Sequence, residues 1–156
     1  MNEALSNINR TCAFTGHRVL EKDFDRQRLI NAVISAVKDG YNEFLSGMAL
    51  GFDTECCKVI NELKKSYKIK LIACVPCKNQ DAGFNLKQKE EYIKLLQSAD
   101  EVVVLSERYY EGCMQKRNKF MVDNSSLIIA HVKKDFGGTA STIKYALKEN
   151  KQVIYV

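Results

Sequence analysis

The chain has 156 residues, 46% of them hydrophobic and 28% charged, with a formal net charge of +5 and six cysteines. A chain of this length buries about 70% of the surface it exposes when unfolded, enough for a core without metal or disulfide staples, and its composition excludes disorder. The mild positive charge suits an anionic partner such as a phosphate ester, and with no longer basic run than the cluster Lys116, Arg117 and Lys119 it argues against an extended nucleic-acid surface.

Residues 1–10 carry Asn, Ser and Glu where a secretory signal would need an apolar run, and are expected to be loosely ordered. The apolar run 11–15 stops at Gly16 and reads as a strand. Over 23–38, Leu29, Ile30, Val33, Ile34 and Val37 recur at the spacing of one helix face, and Gly40 follows as a stop. A short strand is expected at 43–46. A helix at 53–67 carries Cys56, Val59, Ile60 and Leu63, and a buried strand follows at 70–75. The pattern continues with a helix at 87–98, a strand rich in β-branched residues at 101–105, a short helix at 115–124, a strand at 127–132, a helix at 139–150 and a last strand at 152–155.

Strands alternating with helices predict right-handed crossovers. The fold class is therefore α/β: a Rossmann-like three-layer αβα sandwich with a mainly parallel sheet, forming one domain over 1–156. The near-continuous apolar strands agree, since such sheets are covered on both faces. No apolar stretch reaches the length of a membrane-spanning helix. Six thiols in a chain able to fold without bridges point to a reducing, cytoplasmic compartment.

In open α/β sheets ligands gather beyond the carboxyl ends of the strands. Three glycine-containing turns fall there: Gly16-His17-Arg18 after the first strand, Gly47-Met48 through Gly51, Asp53 and Thr54 after the second, and Gly137-Gly138-Thr139 after the fifth. A helix start has unpartnered N–H groups and a partial positive charge, and glycine lets a phosphate approach them. The spacing is neither G-x-G-x-x-G nor a Walker A motif, which disfavours ordinary dehydrogenases and P-loop enzymes. Asp53 is read either as a helix N-cap or as an acceptor for ribose hydroxyls. Arg18 and Arg117 are read as phosphate ligands, His17 as a donor or an acid–base group, Asn118 as a polar contact, and Tyr109 as a stacking ring. Cys74-Val75-Pro76-Cys77 is a C-x-x-C, but Cys74 lies inside a strand and no second spaced pair exists, so core packing is favoured over redox or zinc chemistry.

Residues 11–18 (TCAFTGHR), 46–54 (SGMALGFDT), 117–123 (RNKFMVD) and Gly137-Gly138-Thr139 together resemble the YpsA-like family of the SLOG superfamily. The resemblance implies a Rossmann-like fold distantly related to the DNA-processing protein DprA and to the LOG phosphoribohydrolases. It implies binding of nucleotides or nucleotide-derived signals, such as NAD or ADP-ribose derivatives, by a sensor or regulatory module. Two departures stand out. The hydrolase motif PGGxGTxxE supplies a catalytic glutamate, whereas here Gly138 is followed by Thr139, Ala140, Ser141, Thr142 and Ile143. The family's frequent tryptophan after the third strand is also missing, with Phe84 in that region. A small-molecule binding module with no metal and no required cofactor is thus expected. The alternatives are a nucleotide hydrolase relying on Asp53, Glu55 or His17, and single-stranded nucleic-acid binding. A homodimer is compatible with the chain, and no membrane partner is expected.

Overall fold

The computed structural model describes residues 7–156; of the loosely ordered start expected over 1–10, residues 1–6 lie outside the described residues, and Ile8–Arg10 form one 3-10 turn. The elements that follow are β1 (Thr11–Gly16), α1 (Arg26–Lys38), β2 (Glu43–Ser46), α2 (Phe52–Leu63), β3 (Lys70–Val75), α3 (Leu86–Ser98), β4 (Glu101–Val104), α4 (Cys113–Asp123), β5 (Leu127–His131), α5 (Gly138–Lys148) and β6 (Gln152–Tyr155). All eleven expected elements are present. The boundaries differ where local chemistry overrides apolar spacing. The first helix begins at Arg26 because Asp25 caps it, its side chain accepting the Gln27 N–H at 3.0 Å. The start of α3 is set by a reciprocal pair in which Asn85 accepts from Gln88 N–H and the Gln88 side chain accepts from Asn85 N–H. The last helix stops at Lys148, and Asn150 takes a left-handed φ of 60° to turn the chain into β6.

The six strands form one parallel sheet in the order β4-β3-β2-β1-β5-β6. Strand residues alternate between two cores. Cys12, Phe14, Phe44, Leu71 and Ile129 face the side packed by α1, α2 and α3, while Ala13, Leu45, Ile72, Cys74 and Ile128 face α4 and α5. The three-layer Rossmann-like arrangement follows from this sequence of right-handed crossovers. The chain steps from β1 out to β4, then returns across the opposite face through α4 to lie beside β1 again. No helix among the described residues is long and apolar enough to cross a membrane.

The six cysteines are free and buried, with Cys74 facing the α4–α5 layer. Burial pushes the thiols of Cys57 and Cys74 up to about 12, so neither supplies thiolate near neutrality. A disulfide-forming reagent such as Ellman's should therefore label none of the six rapidly in the native protein and all six after unfolding in denaturant. Rapid labelling of the folded protein would contradict this packing.

Candidate functional site

A cleft of about 510 Å³ opens beyond the carboxyl ends of the strands, beside β1, where the chain's outward and return paths diverge. Gly16, His17 and Arg18 at the end of β1 line it, with Asp53 in the first turn of α2, Arg117 and Asn118 on α4, and Gly137, Gly138 and Thr139 at the head of α5. Nine of the thirteen residues singled out in the sequence thus converge on one hollow.

Gly47, Met48, Gly51 and Thr54 do not line it, and the reason is packing. A Cβ at Gly51, where φ is +79°, would lie 2.3 Å from the carbonyl oxygen of Arg18, and one at Gly47 would lie 2.6 Å from Nη1 of Arg117. These glycines admit the protein's own backbone and guanidinium, not a phosphate. Met48 is buried, its N–H donating to Ser46 Oγ at 3.2 Å, and Thr54 Oγ1 donates to Ala49 O at 3.1 Å. The protein itself closes the second glycine turn.

Arg117 is only 4% exposed. Its Nη1 donates to Gly47 O and, at 3.3 Å, to Cys74 O, and its Nε donates to Asn118 Oδ1 at 2.9 Å. Much of the fork expected to hold phosphate is spent joining the ends of β2 and β3 to α4. Nη2, with the Met114 sulfur 4.0 Å away, is the part still weakly engaged. Burial pushes the guanidinium down from its ordinary range, and the charge of Asp53 opposes that most strongly.

Asp53 is not the helix cap. Gly51 takes that place, and Asp53 is the second residue of α2, its Oδ2 accepting the Ala49 N–H at 3.2 Å. Burial raises its carboxyl to about 6, against the pull of Arg117, the Ala49 N–H and Arg18. His17 Nε2 accepts the Lys133 N–H at 2.9 Å, which places the proton of the neutral ring on Nδ1. Burial, then Lys134 and His131, push this imidazole below its ordinary value. Glu55, the third candidate acid, lies outside the cleft and pairs with Arg26 at 3.2 Å and Lys58 at 3.6 Å.

The head of α5 is different. Gly137, at φ +93°, is its N-cap, no side chain caps it, and Thr139 is the second helical residue rather than a cap. A Cβ at Gly137 or Gly138 would meet nothing within 4 Å. The first-turn N–H groups therefore border open space, beside the exposed Arg18 and beside Lys134 and Phe136, which sequence reasoning missed. Their position just before the glycine pair was the available signal. Tyr109, 60% exposed, also lines the cleft. Phe84 does not: it packs edge-on against Tyr92 with ring centroids 5.6 Å apart.

A model of the YspA SLOG family (YpsA) matches residues 19–155. The chain is similar to the SPbeta prophage-derived protein YoqJ of Bacillus subtilis (strain 168), 33% identical over 124 residues, covering 71% of this chain and 72% of that protein. It is 25% identical over 140 residues to the UPF0398 protein BH1768 of Halalkalibacterium halodurans, covering 88% and 71% of the two chains. Among solved structures it resembles DprA from Streptococcus pneumoniae (TM-score 0.70, 20% identity, 99% of this chain and 52% of that one). It also resembles DprA from Helicobacter pylori, a structure described for its single-stranded DNA binding mode (TM-score 0.71, 20% identity, 99% and 68%). The chain spans about half of the S. pneumoniae protein. At this identity the likeness to DprA is one of fold.

Two outcomes follow from the buried charges. Arg117→Ala removes the guanidinium donor from the Gly47 and Cys74 carbonyls and the buried cation near Asp53, and should cost about 3–5 kcal/mol in urea unfolding, where an arginine serving only a ligand would change stability by about 0.5 kcal/mol or less. Because the folded Asp53 carboxyl is raised, its contribution to stability is full below pH 3.8 and is lost as pH rises through about 6. The stability of the wild-type protein relative to Asp53→Asn should accordingly fall by on the order of 2 kcal/mol between pH 4 and pH 7. A flat difference across that window would refute the buried assignment.

Proposed function

Because the chain belongs to the YspA SLOG family, we propose that it is a binding module for a nucleotide or nucleotide-derived ligand held in this cleft. The observation that carries the reading is the uncapped first turn of α5, bare of side chains at Gly137 and Gly138 and bordering a hollow edged by Arg18 and Lys134. A helix start of this kind supplies several oriented N–H donors and roughly half a positive charge, the requirements of a phosphate. The volume falls within the usual range for small-molecule sites.

In this reading phosphate oxygens take the N–H groups of the α5 turn, with Arg18 and Lys134 neutralising their charge. Asp53 accepts from sugar hydroxyls through the oxygen that Ala49 does not occupy. Asn118, whose Oδ1 already receives Arg117, donates through its amide. Tyr109 and Phe136, exposed at the rim, offer ring faces to a base. The phosphoribohydrolase glutamate has no counterpart after Gly138, which favours recognition over bond cleavage in this reading.

A second reading is single-stranded nucleic-acid binding. It is favoured by the fold shared with DprA and by the exposed Tyr109 and Phe136, which line the cleft together with Lys134. The two readings separate by ionic strength, because contacts to many phosphates release many counterions.

A thermal-shift series with NAD, ADP-ribose, ATP and cyclic nucleotides at millimolar concentration should raise the melting temperature with at least one of them. Arg18→Ala should weaken that ligand about tenfold, as expected for losing one charge-assisted hydrogen bond, while leaving the unliganded melting temperature unchanged. No response to any of these ligands, together with salt-sensitive retardation of a single-stranded oligonucleotide, would transfer the assignment to the second reading.

A further inference from the structure

A second hollow, a groove of about 200 Å³, lies between α4 and α5. It shares Gln115, Asn118 and Gly138 with the main cleft and adds Lys119, Ser141, Thr142 and Tyr145. The head of α5 is therefore a common boundary between the two hollows. At that boundary Gly138 has no side chain, and a Cβ there would meet no atom within 4 Å, so a chain of ligand atoms can pass over it.

The groove is already organised. Tyr145 donates its hydroxyl to Asp123 Oδ1 at 2.5 Å, and Lys119 Nζ donates to Asp123 Oδ2 at 2.8 Å while lying 5.2 Å from the centre of the Tyr145 ring. The ring is fixed in orientation, and the one carboxylate beside it is neutralised by the ammonium. Thr142 Oγ1 is committed to Gly138 O at 2.8 Å. What the groove offers a ligand is a held aromatic ring with the side-chain amides of Gln115 and Asn118 at its entrance. That suits a flat, uncharged heterocycle and does not suit another phosphate.

We infer that this groove receives the second ring system of a dinucleotide-type ligand, whose linking phosphates straddle the first turn of α5 while the first nucleoside occupies the main cleft. The inference rests on the nucleotide reading given above and deepens it, since a mononucleotide would fill the cleft and leave the groove empty. The geometry that matters is a side-chain-free ridge, rich in N–H donors, between two unequal hollows.

Calorimetric titration of the full chain with ADP, NAD and the two-adenine analogue diadenosine diphosphate tests it. At least one dinucleotide should bind about tenfold more tightly than ADP. Ser141→Trp, placed at an exposed position to fill the groove, should abolish that advantage and leave ADP binding unchanged. Tyr145→Leu, which removes the ring, should do the same, with its melting temperature recorded to show that it folds. Equal affinity of ADP and both dinucleotides for the wild-type chain overturns the inference and leaves the cleft assignment standing. A dinucleotide advantage that survives Ser141→Trp, or an equal loss for all three ligands, also overturns it. Binding of none of the three overturns the inference, and the thermal-shift series with the other nucleotides then decides the nucleotide reading separately.

Discussion

A buried guanidinium organises this end of the molecule. Burying a charge costs several kcal/mol unless its donors are matched, and an arginine does not escape by deprotonating. Arg117 meets that demand with the carbonyls of Gly47 and Cys74, the side chain of Asn118 and the nearby charge of Asp53. The same Gly47 carbonyl also accepts from Gln80, and Gln80 in turn accepts from the Tyr92 hydroxyl. One side chain thus ties α4 to the ends of β2 and β3, and through Gln80 to α3. The conformations of the loop after β2 follow from this: no side chain at Gly47, a left-handed φ at Met48, and Asp53 turned back onto the Ala49 N–H.

This arrangement divides the electrostatic labour of the cleft. The buried pair Arg117 and Asp53 contributes little net charge, because each offsets the other. The positive groups of the cleft that are not committed to the protein are the open first turn of α5, the exposed Arg18 and Lys134. His17 adds no charge near neutrality, since its Nε2 holds the Lys133 N–H and its titration is pushed down. The cleft is therefore hydrogen-bonded and charge-balanced on one wall, and positive and unobstructed on the other.

Much of this was legible in the amino-acid sequence. Alternating apolar runs located all eleven elements, because a sheet covered on both faces demands continuous apolar strands and each covering helix demands an apolar stripe. The gathering of His17, Arg18, Asp53, Arg117 and Gly138 at one edge followed from their places after strands. The family resemblance agrees with the matched family model. The division of roles among the glycines and arginines was not legible. Gly51 and Gly137 look alike as letters, yet one is pressed against the Arg18 carbonyl and the other borders open space. Likewise nothing local distinguishes Arg117, which is buried, from Arg18, which is exposed. Burial is set by contacts made across the whole chain, and only a three-dimensional arrangement reveals it.

The central strand pairing carries a consequence for how the protein is made. Strand β1 is complete by Gly16, but its partner on one side is β5, beginning at Leu127. During synthesis the first four strands can assemble in order, each beside its predecessor, while the other flank of β1 stays bare until more than a hundred further residues have emerged. Distant pairings of this sort are slow to close and expose sheet edges in the interim. The α5 turn is reached later still, so the cleft is bounded on all its sides only once the chain has been translated through the crossover from β5 to α5.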